Sequence, residues 1–245
     1  MAATRHGYMS DFQTLLHNLQ QRTDETLDTL ERENRWAEVL EIYHAAGAEV
    51  DALDIPRDDP AYKLAYREAK RVRAYLYLRE ANALRVLGRP AEATALGEKE
   101  LEAALASGDG ITIARAMFSL GGTYLANGEV ERGLKYLDDA KPMFEHGDDY
   151  DHKQGLGWWY IIQADIRNAG LLPGAPEAAA AMADKALELL RPLKNWPGVA
   201  RAHEARAKAC ERMDDPEAAR HARTAQKMAE DMLRLELGKA AYNEE

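Results

Sequence analysis

The feature that most limits this chain is the spacing of its helix breakers. Asn34, Gly88, Gly128, Gly170 and Asp214 each interrupt a run with a 3.6-residue apolar period, and from Gly88 onward they recur after 40, 42 and 44 residues. A period of that length, with helix on both sides of each break, describes helical hairpins that bury their apolar faces only by stacking on one another. Hairpins are expected over residues 10–52, 61–107, 111–145, 154–191 and 198–237, ten helices in five antiparallel pairs. Pro90 and the Asp215-Pro216 pair supply the fixed φ and the cap of helix starts. DIPRDDP, SGDG at 107–110, HGDDYDH at 146–152 and GLLPGAP read as connectors.

Composition agrees with an all-α chain. There are 44 alanines against three phenylalanines among 245 residues, which suits closely approaching helices rather than a β-sandwich. The single cysteine, Cys210, excludes an internal disulfide and a cysteine-rich zinc site. No run approaches the length of a membrane span, and the N-terminal MAATRHGYMSDFQTLL lacks the pattern of a signal peptide, so a cytoplasmic location is the expectation. The whole of residues 1–245 is expected to form one repeat domain.

Aligned on the breakers, the chain resembles the tetratricopeptide-repeat (TPR) family, in the extended-unit form of several bacterial members. The third unit carries the signature in Leu120, Gly121, Tyr124, Gly128, Gly133, Leu137 and Ala140. The fourth repeats it in Trp159, Ile162, Ile166, Gly170, Ala179, Ala183 and Ala186, with four extra residues in its turn. The second offers Ala81, Leu84, Gly88 and Ala93, and the fifth Ala207, Cys210 and Ala219. Two departures stand out: Glu80 and Arg206 occupy positions where the pattern asks for a large apolar residue. The first unit rests on Asn34, Trp36, Val39, Tyr43 and Ala46. The resemblance implies a right-handed α-α superhelical solenoid whose concave face is lined by the first helix of each pair.

In that phase the inner face carries Tyr75, Leu78, Asn82, Arg85 and Val86, then Arg115, Phe118, Gly122, Leu125 and Ala126. It continues with Tyr160, Ala164, Arg167 and Asn168, and with Arg201, Glu204, Lys208, Glu211 and Arg212. Cations and aromatics on this face, within a chain of net charge -10, point to an acidic peptide or partner segment; a merely solvated face accounts for the same residues. A clamp for terminal carboxylates is not supported, because Asn82 is followed by Gly122 at the equivalent position. Charge reversal at Arg85, Arg167 and Lys208 is expected to weaken an acidic ligand while sparing the fold.

Three roles follow: an interaction scaffold or adaptor binding a protein segment in the groove, a peptide-sensing regulatory module acting through a partner, and a self-associating assembly protein. The third rests on Met228, Met232, Leu233, Leu235 and Leu237 in the C-terminal helix, through which a homo-oligomer is conceivable. About nine residues precede the first helix, too few for an output domain, so a regulator of this kind must signal through another chain. Trp159 reads as core; Trp158 reads equally as packing or as an exposed anchor. The basic run Lys63, Arg67, Lys70, Arg71, Arg73, Arg79, Arg85 invites a nucleic-acid reading, against which stand a pI near 5.3 and the lack of a second basic face. No membrane partner is expected. Enzyme chemistry, metal and cofactor are not expected either: HExxH and phosphate-loop patterns are missing, and HGDDYDH lacks the spacing of a calcium loop.

Overall fold

The computed structural model describes residues 14, 16–18, 30, 31, 33–53, 57, 58 and 60–242. Among the described residues nine helices follow one another and no strand occurs: α1 (Trp36–Asp51), α2 (Tyr62–Val86), α3 (Pro90–Ser107), α4 (Gly110–Ala126), α5 (Val130–Glu145), α6 (Tyr150–Asn168), α7 (Pro176–Leu190), α8 (Trp196–Arg212) and α9 (Pro216–Tyr242). The helix expected over 10–32 lies largely outside the described residues. The architecture is all-α, built from the antiparallel pairs α2/α3, α4/α5, α6/α7 and α8/α9 with α1 before them.

Two compact units divide the chain, Met1–Ala140 and Lys141–Glu245. In the first, α2 packs on α1 and α3, and α4 packs on both α3 and α2. In the second, α7 packs on α6, α8 on both α7 and α6, and α9 on α8. Each unit thus repeats one solenoid rule: a first helix touches its own partner, the second helix of the preceding pair and the preceding first helix.

The breakers explain the regularity. All five hold left-handed backbone, with φ of 58° at Asn34, 71° at Gly88, 82° at Gly128, 72° at Gly170 and 55° at Asp214. At each, the breaker donates its N–H to the carbonyl three residues back, and the following residue donates to the carbonyl five back. Arg35 thus reaches Leu30, Arg89 reaches Leu84, Glu129 reaches Tyr124, Leu171 reaches Ile166 and Asp215 reaches Cys210, all at 2.9–3.0 Å. This double bond satisfies the last carbonyls of the first helix and turns the chain at a fixed angle.

A fixed turn puts the same positions of every second helix at the stacking face. They are Val39, Tyr43, Ala46 and Val50 in α1; Ala93, Gly97, Glu100 and Ala104 in α3; Gly133, Leu137, Ala140 and Phe144 in α5; and Ala179, Ala183, Ala186 and Leu190 in α7, all of them buried. Glycine is required where the approach is closest. A Cβ on Gly133 would lie 2.8 Å from the Gly121 carbonyl oxygen, and one on Gly155 would lie 2.2 Å from the Phe144 ring. α9 breaks the pattern. Ala219 keeps its place, but Arg223, Gln226 and Glu230 take the next three positions. Arg223 donates to Glu211 at 3.0 Å, and Gln226 donates to Glu230 at 3.0 Å. The ridge that would receive a further hairpin is therefore polar, as the end of a repeat array requires.

One boundary differs from the sequence expectation. HGDDYDH was expected as connector up to residue 152, yet α6 begins at Tyr150. Asp149 caps it, accepting from the His152 N–H at 3.0 Å and pairing with the His152 ring at 2.8 Å.

The turn geometry predicts opposite effects at two equivalent positions. A Cβ on Gly128 meets no atom within 4 Å, so Gly128→Ala isolates the backbone cost and lowers stability by about 1 kcal/mol. Asp214→Gly relieves the same strain and raises stability by roughly 0.5 kcal/mol, both read by chemical denaturation.

Candidate interaction surface

Of the nineteen residues expected on the inner face, fourteen are half-buried, Ala164 is buried, and Val86, Ala126, Glu211 and Arg212 are exposed. They lie on the first helices α2, α4, α6 and α8. What the sequence did not reveal is how many of the cations are already held by the chain itself.

In the first unit Arg85 lies between α2 and α4. It donates to the Thr123 hydroxyl at 2.5 Å and to the Asn82 amide oxygen, so both Asn82 and Arg85 are engaged within the protein. Burial lowers the Arg85 pKa, with the Glu100 carboxylate opposing. Glu100, from the stacking ridge of α3, is 2% exposed, and its Oε2 has no hydrogen-bond partner. Burial drives that carboxyl well above the usual range, against the Ser119 hydroxyl and the Arg85 cation. The Ser119 hydroxyl stands beside it without meeting hydrogen-bond geometry. Arg85 is consequently a poor site for charge reversal: the expectation that its reversal spares the fold is corrected, because a carboxylate there would face Glu100 in a dry interface.

Three further arginines of α2 are also engaged within the protein. Arg73 is 7% exposed and bridges Glu80 at 2.9 Å and Asp51 at 3.1 Å, with its guanidinium 3.7 Å from the Tyr77 ring centroid. This pair explains why Glu80 occupies an apolar position: two turns apart on one helix, Arg73 and Glu80 satisfy each other. Arg79 donates to the Tyr43 hydroxyl at 2.6 Å and to Glu31 at 2.7 Å, and Arg71 pairs with Glu68. Arg71, Arg73 and Arg79 of the basic run are thus held in separate pairs.

In the second unit α6 and α8 frame an open cleft of about 590 Å³ lined by Asp165, Asn168, Ala169, Arg201, Lys208, Glu211 and Arg212. Arg201 donates to Asp165 at 2.7 Å and to Glu204, and Lys208 lies 2.8 Å from Glu204. Burial raises the Asp165 pKa against Arg201 and Lys208, whereas the Lys208 contact holds Glu204 below its usual range. Arg167 turns back to its own helix, donating to the Gln163 carbonyl at 2.9 Å and side-chain oxygen at 2.7 Å. Asn168 donates to the Ala205 carbonyl at 2.8 Å, leaving its Oδ1 buried without a partner. Arg212 donates one nitrogen to the Arg167 carbonyl at 2.6 Å. Tyr160 packs edge-on to Trp159 at 5.3 Å between centroids.

Asp165 is the residue the expected face lacked; Glu204 was on it, and the structure adds its pairing with Arg201 and Lys208. The spacing Arg201, Glu204, Lys208 was a visible sign, since carboxylates three and four residues from cations pair on a helix. Arg206, the second departure, pairs with Asp184 at 2.8 Å. Trp159 is buried, and Trp158 packs with Trp196 against Ile161, Leu190 and Val199, which favours packing over an exposed anchor. Cys210 is buried, and burial pushes its thiol up. Among the described residues no group of three His, Cys, Asp or Glu side chains converges to hold a metal, and no helix is long and apolar enough to cross a membrane.

No protein-family model and no curated protein sequence matches the chain. Among solved structures it is similar to BtubC (BKLC) from P. vanneervenii, at 14% identity and TM-score 0.62, over 89% of this chain and 82% of that one. It is also similar to a Podosopora anserina protein assigned as a kinesin light chain with nearly identical TPR-like repeats, at 15% identity and TM-score 0.53, over 87% and 95% of the two chains. The shared property at such identities is the fold, an array of antiparallel helix pairs.

The buried carboxyl yields a pH prediction. A folded pKa raised above the unfolded value means that Glu100 contributes stability below pH ~4.5 and loses it as pH rises through the folded value. Glu100→Gln therefore stabilises the chain at pH 7 by roughly 1–3 kcal/mol, and the gain vanishes toward pH 4, as denaturation at several pH values will show.

Proposed function

We propose that the chain is a non-enzymatic interaction scaffold whose α6/α8 face binds a segment of a protein partner. The observation that supports this reading is the cleft between two successive first helices, with Arg201, Lys208 and Arg212 around it and Asn168 in its wall. Cations are balanced there by Asp165, Glu204 and Glu211, so an acidic segment gains by displacing internal partners of exposed pairs, each worth about 0–1 kcal/mol, rather than by meeting free charge. Lys208 and Arg212 are the cheapest to recruit: the first is held by a partly exposed carboxylate, and the second by one carbonyl. An extended segment lying across the two helices would use side-chain amides and guanidinium donors for its backbone and carboxylates. A cytoplasmic scaffold of TPR type, in the extended bacterial form, is the finer identity this reading carries.

Lys208→Glu with Arg212→Glu tests it. Both side chains lie outside the core, so the double variant keeps the wild-type circular dichroism and melting temperature. A protein captured from native lysate by the wild type and lost, by quantitative mass spectrometry, from the folded double variant bears the proposal out. An identical set of captured proteins on both refutes the assignment of the face.

A further inference from the structure

In the first unit α1 and α3 both pack on α2, and a pocket of about 460 Å³ lies among the three helices. Its walls are largely apolar: Leu84 of α2 is buried there, with Leu40 of α1 and Leu96 of α3 packed against the same cluster. Its charged lining is mainly acidic, with Glu41, Glu80 and Glu92 against Arg89. Arg89 is already engaged, since its Nε and Nη2 each donate to one oxygen of Glu92 at 2.6 Å. Glu41 is exposed and pairs with no cation among the described residues.

Glu80 decides what the pocket can hold. It is 2% exposed, and its Oε1 accepts from Arg73 at 2.9 Å. Arg73 is shared with Asp51, so one guanidinium faces two carboxylates and a negative charge is left over. Glu80 Oε2 accepts no hydrogen bond, yet unlike Glu100 Oε2 it is not sealed from solvent. The His44 ring stands 3.6 Å from it, beyond hydrogen-bond distance, and is exposed enough to give way. A carboxylate oxygen in apolar surroundings gains strongly from any donor that reaches it.

We propose that this pocket binds an alkylammonium group, with the ammonium on Glu80 Oε2 and Glu41 and the aliphatic stem along Leu40, Leu84 and Leu96. The number of available oxygens selects ammonium over guanidinium. A guanidinium binds best across both oxygens of one carboxylate, as Arg89 does on Glu92, and Glu80 has only one to offer. An ammonium directs three donors independently and can bridge two carboxylates. Free alkylamines and the lysine side chain of a partner share this chemistry. The pocket shares no residue with the α6/α8 cleft, and its acidic lining asks for a ligand of the opposite charge.

Calorimetric titration of the full chain with n-hexylamine tests this, the expected result being saturable binding at a single site. Each methylene removed on the way to n-butylamine should weaken binding about fourfold. n-Hexanol and n-hexylguanidine carry the same stem and should bind at least roughly tenfold more weakly than the amine. Glu41→Gln, at an exposed position, should weaken the amine with unchanged circular dichroism, and Glu80→Gln should abolish its binding. Should Glu80→Gln unfold the chain by stranding Arg73, Glu41→Gln and the ligand series still decide. Nα-acetyl-lysine N-methylamide binding as n-butylamine does assigns the site to a partner's lysine, and its exclusion assigns it to a free amine. No saturable binding up to about 10 mM n-hexylamine overturns the proposal. So does n-hexanol binding as tightly as the amine, or amine binding indifferent to both glutamate variants.

Discussion

The structure depends on a backbone state held at five places. A left-handed residue ends each described first helix and points the chain back at a constant angle. That constancy places four positions of every second helix at the stacking ridge, and ridge residues of different chemistry then decide what stacks. Small residues admit close approach, as Gly133 does against the Gly121 carbonyl; larger ones fill the next groove, as Leu190 does beside Gly157 and Gly198. Arg223, Gln226 and Glu230 stop the series by bonding among themselves and to Glu211. Propagation and termination are thus written in one set of positions, and hydrophobic burial operates only because the turn keeps them in phase.

The polar groups follow a second logic. First helices carry many cations at the edge of the core, where neither full solvation nor full burial is available. The chain answers by pairing them: Arg73 with Glu80 and Asp51, Arg201 with Asp165 and Glu204, Lys208 with Glu204. Glu100 is the exception, a ridge carboxyl with one unpartnered oxygen whose nearest cation, Arg85, spends its donors on Thr123 and Asn82. A face organised in this way offers a partner exchangeable bonds rather than a field of unneutralised charge, which favours specificity over raw affinity.

Much of the fold was legible because its signals are local. Gly128 and Gly170 announce themselves, and Asn34 and Asp214 belong to the two residue types that best tolerate positive φ. Helix starts at Pro90 and Pro216 were equally plain. The start of α6 was not, because the cap Asp149 lies among other acids in HGDDYDH and sequence offers no way to rank them. Site chemistry was less legible for a physical reason: pairing crosses helices. That Arg201 meets Asp165, or that Arg85 bonds to Thr123, depends on how first helices stack, separations of 36 and 38 residues that no periodicity encodes. Glu80 looked like a defect in the repeat and is a member of a buried pair, its partner two turns away on the same helix.

The central claim is that the ridge of the second helix directs stacking and that its polar form on α9 ends it. The most direct measurement grafts the α5 residues onto α9, as Arg223→Leu, Gln226→Ala and Glu230→Phe, and follows sedimentation velocity. A control carries the same three apolar residues at the exposed positions Arg220, Thr224 and Lys227. The account predicts that the graft forms oligomers larger than any in the wild type, by presenting a ridge with nothing to receive, while the control sediments as the wild type does. A graft indistinguishable from the wild type, or a control that assembles equally, would contradict it.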